Sequence, residues 1–280
     1  MSMRAGVETQ DRDIPIAWDP GLYGRFAGAR LRPALALIAR VPLTRPAEIV
    51  DLGCGAGAAF AALRARFPEA RLVGVDTSQE MVETARETGI ADEVGLADAA
   101  TWRPARAPDL IFSNAVLQWL DAHETLFPRL FDLLAPGGVF AVQMPRNHRA
   151  PAFEALRAAA RTVRPDLFDW SGYEPPVAEP VVYAEILAGL PGLDDARFEI
   201  WETEYFQRLA PSDEGHPVRL FSQSTAARPI LARLESEADR DAFLSAVDDR
   251  LAPLYPPRAD GSVWYPFRRL FLIAGKRDDG

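Results

Sequence analysis

A chain of 280 residues, 48% hydrophobic and 25% charged, has an ordinary globular composition and is long enough for one sizeable core or two small ones. Its net charge of -9 gives no electrostatic basis for holding a polyanion, so nucleic acid is not an expected partner. The lone Cys54 excludes an internal disulfide and a cysteine-cluster zinc site. His123, His148 and His216 lack metal-ligand spacing, so no metal is expected. No run of about 18 apolar residues occurs, and the opening MSMRAGVETQDRD is unlike a secretory or transit peptide. A cytoplasmic protein away from membranes is expected.

The elements follow in chain order. WDPGLYGRFAGARLRPALALIARV reads as a turn and then a helix, with Leu31, Leu35, Ile38 and Val41 at helical spacing around Pro33. AEIVDL (47–52) is a short branched apolar strand that ends at glycines, and AAFAALRARF after it is helical. RLVGVD (71–76) is a second strand. The helix SQEMVETARETG follows, with Ser78 as its cap and Gly89 as its stop. EVGLAD (93–98) and PDLIFSN (108–114) are the third and fourth strands, AHETLFPRLFDLL is a helix, and VFAVQMP after the APGG turn is the fifth strand. Alternation of this kind predicts an α/β fold with a doubly wound parallel sheet.

The second half is less regular. FEALRAAARTV (153–163) and YAEILAGL are helical around a proline-rich stretch, ARFEIWETEYF alternates as a sixth strand, 217–251 is mostly helical, and RRLFLIAGKR is a seventh strand. One domain over 1–280 is expected. It comprises an N-terminal helical cover (roughly 15–45), a cofactor-binding core (46–150), a substrate-side cap of inserted helices with strand six (151–265) and a last strand (266–277).

In such sheets ligands bind beyond the carboxyl ends of the strands. The stretch VDLGCGAGAAF (50–60) places Gly53, Gly55 and Gly57 directly after Asp51. A dinucleotide site needs G-x-G-x-x-G, but Ala58 stands where that fingerprint expects its third glycine. A carboxylate at the mouth would also oppose a pyrophosphate, so an NAD-dependent oxidoreductase is disfavoured. Three acids close the first three strands. Asp51 suits an ammonium group, Asp76 a ribose diol and Asp98 an exocyclic adenine amine. The glycines let the backbone press against the ligand. A nucleoside joined to an amino acid through a sulfonium meets these requirements, which makes S-adenosylmethionine the expected cofactor. Thr77, Met81 and Ala99 flank the acids, and Asn114 ends strand four at the cofactor wall. Trp18 and Tyr23 could cover the cofactor. Cys54, with no histidine near it in sequence, is expected to pack rather than react.

VDLGCGAG, VGVD, GLADA and LAPGGVFAV resemble the successive motifs of class I S-adenosylmethionine-dependent methyltransferases. WDPGLYGRFAGARLRPALALIARVP, SNAVLQWLDAH, VQMPRN, IWETEY, RPIL and DGSVWYPFRRLFLIA are similar to the trans-aconitate 2-methyltransferase family, over residues 18–275. The resemblance implies a Rossmann-like seven-stranded sheet with an antiparallel last strand, and monomethyl esterification of a small tricarboxylate. The chain departs from the family at AGAAF after the glycines, at Phe206 and Gln207 after Tyr205, and at Phe221 and TAARP. Most of these changes fall in the half expected to shape the substrate pocket.

A carboxylate is already ionised at neutral pH and can attack a sulfonium methyl without a general base, so no catalytic base is required. A polyacid substrate does need cationic and hydrogen-bonding clamps. The candidates are Gln118, Trp119 and His123 after strand four, Arg146 and Asn147 after strand five, Tyr205 on strand six and Arg228 of the RP motif. Arg30 or Arg32 could fold over from the first helix. A methyltransferase acting on a malonyl carrier-protein thioester and a non-catalytic S-adenosylmethionine-binding protein are the alternatives. A monomer or weak homodimer is expected.

Overall fold

The computed structural model describes residues 27–223 and 225–278. Trp18, Tyr23 and the start of the N-terminal cover lie outside the described residues, as does the side chain of Arg30. Contacts group the rest into two compact units: a sheet unit of residues 27–149, 173–207 and 266–278, and a helical unit of residues 150–172 and 208–265. Residues 173–207, with most of the sixth strand, therefore group with the sheet.

The sheet unit opens with α1 (Ala27–Arg40) and continues as β1 (Glu48–Leu52), α2 (Phe60–Arg66), β2 (Arg71–Asp76), α3 (Gln79–Glu87), β3 (Glu93–Leu96) and β4 (Leu110–Asn114). A 3-10 turn (Leu117–Trp119), α4 (His123–Asp132) and β5 (Val139–Pro145) follow. After α5 (Pro151–Val163) come α6 (Pro180–Ala188) and β6 (Leu193–Leu209); then α7 (Pro217–Gln223), α8 (Arg228–Arg233), α9 (Glu237–Leu254) and β7 (Val263–Lys276).

The seven strands lie in the order β3-β2-β1-β4-β5-β7-β6. β1 to β5 pair in parallel, and β7 runs antiparallel to β5. The direction of winding reverses between β1 and β4, where a doubly wound sheet opens a crevice for ligands. Side chains alternate between the faces, so each parallel strand feeds two cores. On one face Ile49, Phe112, Ala141 and Phe271 pack under α1, α2 and α3. On the other, Val50, Ile111, Val142 and Leu272 pack against α4 and α6. No helix among the described residues is long and apolar enough to cross a membrane.

Local chemistry sets the element ends. Ser78 Oγ accepts from Met81 N at 3.4 Å, and Gly89 takes φ +64 just past α3, a left-handed turn that favours glycine. β3 stops two residues earlier than the sequence suggests, because Asp98 Oδ1 accepts from Ala100 N at 2.8 Å and turns the chain off the ladder. α6 starts at Pro180, three residues earlier than expected, because proline's fixed φ suits the first helical position. β7 runs five residues further toward its start than RRLFLIAGKR indicates.

Candidate active site

The turn after β1 is held to β2 by backbone bonds, with Gly53 N and Cys54 N both donating to Val75 O at 2.7 and 2.9 Å. All three glycines have positive φ: +79 at Gly53, +54 at Gly55 and +79 at Gly57. Their roles differ. A Cβ on Gly53 would meet Val116 Cγ2 at 2.3 Å, and one on Gly57 would meet the Phe60 ring at 2.6 Å. A Cβ on Gly55 would meet nothing within 4 Å among the described residues. Gly53 and Gly57 thus allow the turn to pack, whereas Gly55 presents bare backbone to open space.

Two carboxylates border that space. Asp76 Oδ2 accepts from Gly55 N at 2.8 Å and Oδ1 from Ser78 N at 2.9 Å, which fixes its orientation while leaving lone pairs for further donors. Asp51 is only 2% exposed. Burial, with a smaller contribution from the charge of Asp76, pushes its carboxyl up to about 7. Two acids competing in this way form a site suited to a cation, since a positive group would relieve both the burial penalty and the mutual repulsion. Burial first, and then Asp51 and Asp76, push the Cys54 thiol up. It stays protonated and packs in the core under α2, as expected.

Further along this edge, Thr77 is exposed and Met81 half-buried in the first turn of α3, Asp98 is exposed, and Ala99 is buried. Asn114 ends β4 with its Oδ1 buried and without a hydrogen-bond partner among the described residues. Bare backbone at Gly55, two acids and an orphaned acceptor at Asn114 fit a ligand that carries an ammonium group, ribose hydroxyls and a sulfonium. S-adenosylmethionine has these groups.

The residues expected to touch substrate do not all come together. His123 is buried with both ring nitrogens in use: Nε2 lies 2.8 Å from Leu117 O and Nδ1 2.8 Å from the Tyr183 hydroxyl. The carbonyl can only accept, so Nε2 carries the proton and Nδ1 accepts from Tyr183. His123 also stacks near Phe127, which makes it a core residue of the α4–α6 face. Arg146 pairs with Glu202 and with Glu179, the latter at 2.9 Å. It shares the parity of Val142 and Met144 on β5, again on the α4–α6 face. Trp119 is 68% exposed. Arg228 opens α8 in the helical unit.

Other candidates stay in play. Gln118 donates from Nε2 to Ala115 O at 2.7 Å and keeps a buried Oε1 without a partner among the described residues. Asn147 Oδ1 accepts from Arg268 N at 2.7 Å, while its buried Nδ2 has no partner there either. Tyr205 lies on the α1-facing side of the sheet, with Arg32 Cζ 5.1 Å from its ring centre. Burial pushes its hydroxyl up, against the pull of Arg32 and Arg269.

Tyr205 leads to residues the sequence reading passed over. Gln143 on β5 is fully buried, and its Oε1 lies 3.4 Å from Arg269 Nη1 on β7. Arg269 is 5% exposed, and its Cζ stands 4.0 Å from the centre of the Phe267 ring. Gln207, noted before only as a departure from the family, is buried with an orphaned Oε1 among the described residues. A signal existed: Gln143 interrupts the otherwise apolar strand VFAVQMP, and Arg269 directly precedes the apolar run of RRLFLIA.

The helical unit has a cleft of about 520 Å3 bordered by His216 and Asp248. Its polar groups serve one another. His216 bridges Tyr255 O and Val218 N, and Asp248 takes Arg219 Nε and His216 N. It offers no comparable chemistry.

Comparison with known proteins agrees with this geometry. A family model described as a methyltransferase domain matches residues 23–175. The chain is 44% identical over 268 residues to a trans-aconitate 2-methyltransferase of Methylobacterium radiotolerans, covering 92% of this chain and 98% of the relative. It is 39% identical over 273 residues to the protein of that name from Variovorax paradoxus, covering 94% and 99%. Among solved structures it resembles the YcgJ protein of Bacillus subtilis, with TM-score 0.53 at 16% identity over 88% of this chain and 99% of that one. It also resembles phosphoethanolamine N-methyltransferase 2 of Haemonchus contortus, with TM-score 0.53 at 18% identity over 92% and 58%. At these identities the structural likeness speaks for the fold alone.

Proposed function

The chain belongs to the trans-aconitate 2-methyltransferase family and is an S-adenosylmethionine-dependent methyltransferase, and we propose that it esterifies one carboxylate of trans-aconitate or a closely similar small polycarboxylate. The observation that carries this reading is the pairing of buried Asp51 with half-buried Asp76, which binds the Gly55 amide beside open backbone. That pair is chemically suited to a cationic donor, and it shares a sheet with buried polar groups suited to an anionic acceptor.

Bound there, S-adenosylmethionine would supply the methyl group of a cationic sulfur to a substrate carboxylate oxygen, the new C–O bond replacing the C–S bond, whose electron pair sulfur would keep. The protein's part is to position the partners. Asp51 would hold the ammonium group, Asp76 the ribose diol, and Asp98 with Ala99 the adenine edge. Thr77 and Met81 would flank the nucleoside, and Asn114 would wall the reactive end. Gln118 and Asn147 are proposed to orient the acid through buried polar atoms without partners among the described residues, and Tyr205 through its hydroxyl on the α1-facing side of the sheet. No residue need remove a proton, because the acceptor is already ionised. Fixing oxygen, carbon and sulfur in line supplies several kcal/mol of barrier reduction. Arg228 is proposed as a further cation for the acid, on its match to the family's Arg-Pro motif. Arg228→Ala should raise the substrate KM and leave cofactor affinity intact.

The test is incubation of the purified protein with methyl-labelled S-adenosylmethionine and a panel of mono-, di- and tricarboxylates, scored for base-labile ester. Transfer to trans-aconitate well above the other acids is expected. Transfer only to a malonyl carrier-protein thioester would replace the substrate assignment, and calorimetric binding without transfer to any acid would leave a non-catalytic binder.

A further inference from the structure

We propose that Gln143 and Arg269 form an anchor for a second carboxylate of the substrate, the one that is not methylated. The inference rests on the esterification reading above and adds the residues that select a polyacid over a monoacid.

The strand registers place the pair. Asn114, Gln143 and Phe271 lie side by side on β4, β5 and β7, and Arg269 lies opposite Pro145, one pleat further toward the carboxyl end of β5. Gln143 has the parity of Val139 and Ala141, and Arg269 that of Phe271 and Ile273, so both face the α1 side, as Asp51 does on β1. Two strand spacings separate β1 from β5, about 10 Å across the sheet. The anchor therefore lies beside the cofactor cradle and not within it.

The chemistry is unusual for a structural pair. Gln143 uses its carbonyl oxygen toward Arg269, and this turns its amide nitrogen away. That nitrogen is a fully buried donor without a partner among the described residues, a costly arrangement unless something accepts from it. The guanidinium beside it is a planar fork matched to a carboxylate. Tyr205 borders Arg269 and lies under Arg32, so the surroundings are cationic and hydrogen-bonding. A neutral residue at 143 matters, because a glutamate there would bind Arg269 itself and close the anchor to an incoming anion.

The experiment compares wild type, Gln143→Glu and Arg269→Gln in steady-state methylation of tricarboxylates, dicarboxylates and monocarboxylates, with cofactor affinity measured by calorimetry. For the tricarboxylate each variant should raise KM by roughly 10- to 100-fold, the scale of one lost charge-assisted hydrogen bond. kcat should stay within a few fold and cofactor affinity within about twofold. The loss should shrink to about threefold or less for a monocarboxylate, which has no second group to anchor. Gln143→Glu keeps the side-chain size and decides the matter if Arg269→Gln does not fold. A Gln143→Glu protein with unchanged tricarboxylate KM and a higher Tm would overturn the proposal and make the pair purely structural. If wild type methylates no polyacid, the esterification reading fails and the anchor falls with it. If wild type is active and the variants match it, the anchor alone fails.

Discussion

The two halves of the α1-facing sheet edge are built by different means. Under β1, β2 and β3 the site comes from one stretch, Asp51 to Asp98, and relies on backbone: positive-φ glycines, amides tied to Val75, and a carboxylate locked by Gly55 and Ser78. Across β4, β5, β7 and β6 the proposed acid side comes from Asn114, Gln143, Arg269 and Tyr205, residues far apart in sequence, and relies on side chains that are buried at Gln143 and Arg269 and half-buried at Asn114 and Tyr205. The first arrangement suits a cofactor shared by many chemistries, because backbone geometry is hard to change one residue at a time. The second can be retuned by single substitutions, which suits the selection of one acid.

The sharpest way to break this comparison is to separate the glycines. Gly53→Ala should cost about 3 kcal/mol or more of stability, since it combines a left-handed backbone penalty with a clash against Val116. Loss of the folded protein, or a large drop in Tm, is the expected result. Gly55→Ala should cost only about 1 kcal/mol, because the added methyl meets open space, yet it should weaken cofactor binding by tenfold or more. If a folded Gly55→Ala protein bound S-adenosylmethionine like wild type, that space would not be the cradle. Next in size, Asp76→Ala should lower cofactor affinity by about 10- to 100-fold, through charge-assisted bonds worth ~1.5–3 kcal/mol each. Unchanged affinity by calorimetry would remove Asp76 from the site.

The same contrast explains what the sequence disclosed. The glycine turn, the acids at strand ends and the Ser78 cap are local patterns, and the α/β alternation they punctuate specifies the parallel strands from short windows. The antiparallel last strand was legible only through family resemblance. Gln143 and Arg269 meet across 126 residues, and only strand pairing brings them together. For His123 the sequence does not tell a ring whose nitrogens face a ligand from one whose nitrogens meet Tyr183 and Leu117, as they do in this fold. Arg146 is similar: its position past β5 is legible, but the parity that puts it on the α4–α6 face with Glu202 and Glu179 emerges only from the strand.

A smaller, pH-dependent effect sharpens the cofactor half. Asp51, with its carboxyl pushed up to about 7 chiefly by burial, must be ionised to meet an ammonium group. Cofactor affinity should therefore rise by roughly tenfold between pH 6 and pH 8 and flatten above that. The sign for stability is opposite. The folded state holds this proton more tightly than the unfolded chain does, so the contribution is full below the usual aspartate range and is lost as pH rises from about 4 through 7. Asp51→Asn should flatten both dependences. A titration in which the variant kept the wild-type slopes would assign them to another group.

The smallest expected effect bears on the division between the two faces. Arg146 follows β5 directly, yet its side chain, 14% exposed, is held by Glu202 and Glu179 on the face of α4 and α6. Replacing it with alanine leaves Glu202, 29% exposed, without that cation, at a cost of about 1 kcal/mol after solvent screening. That amounts to a fall of about 2–4 °C in Tm for a chain of this size. The KM for a tricarboxylate should stay within about twofold of wild type, because the carboxylates that engage this guanidinium belong to the protein. A tenfold rise in KM with Tm unchanged would put the acid on the Arg146 side of the sheet, and the row through Gln143 and Arg269 would then need another purpose.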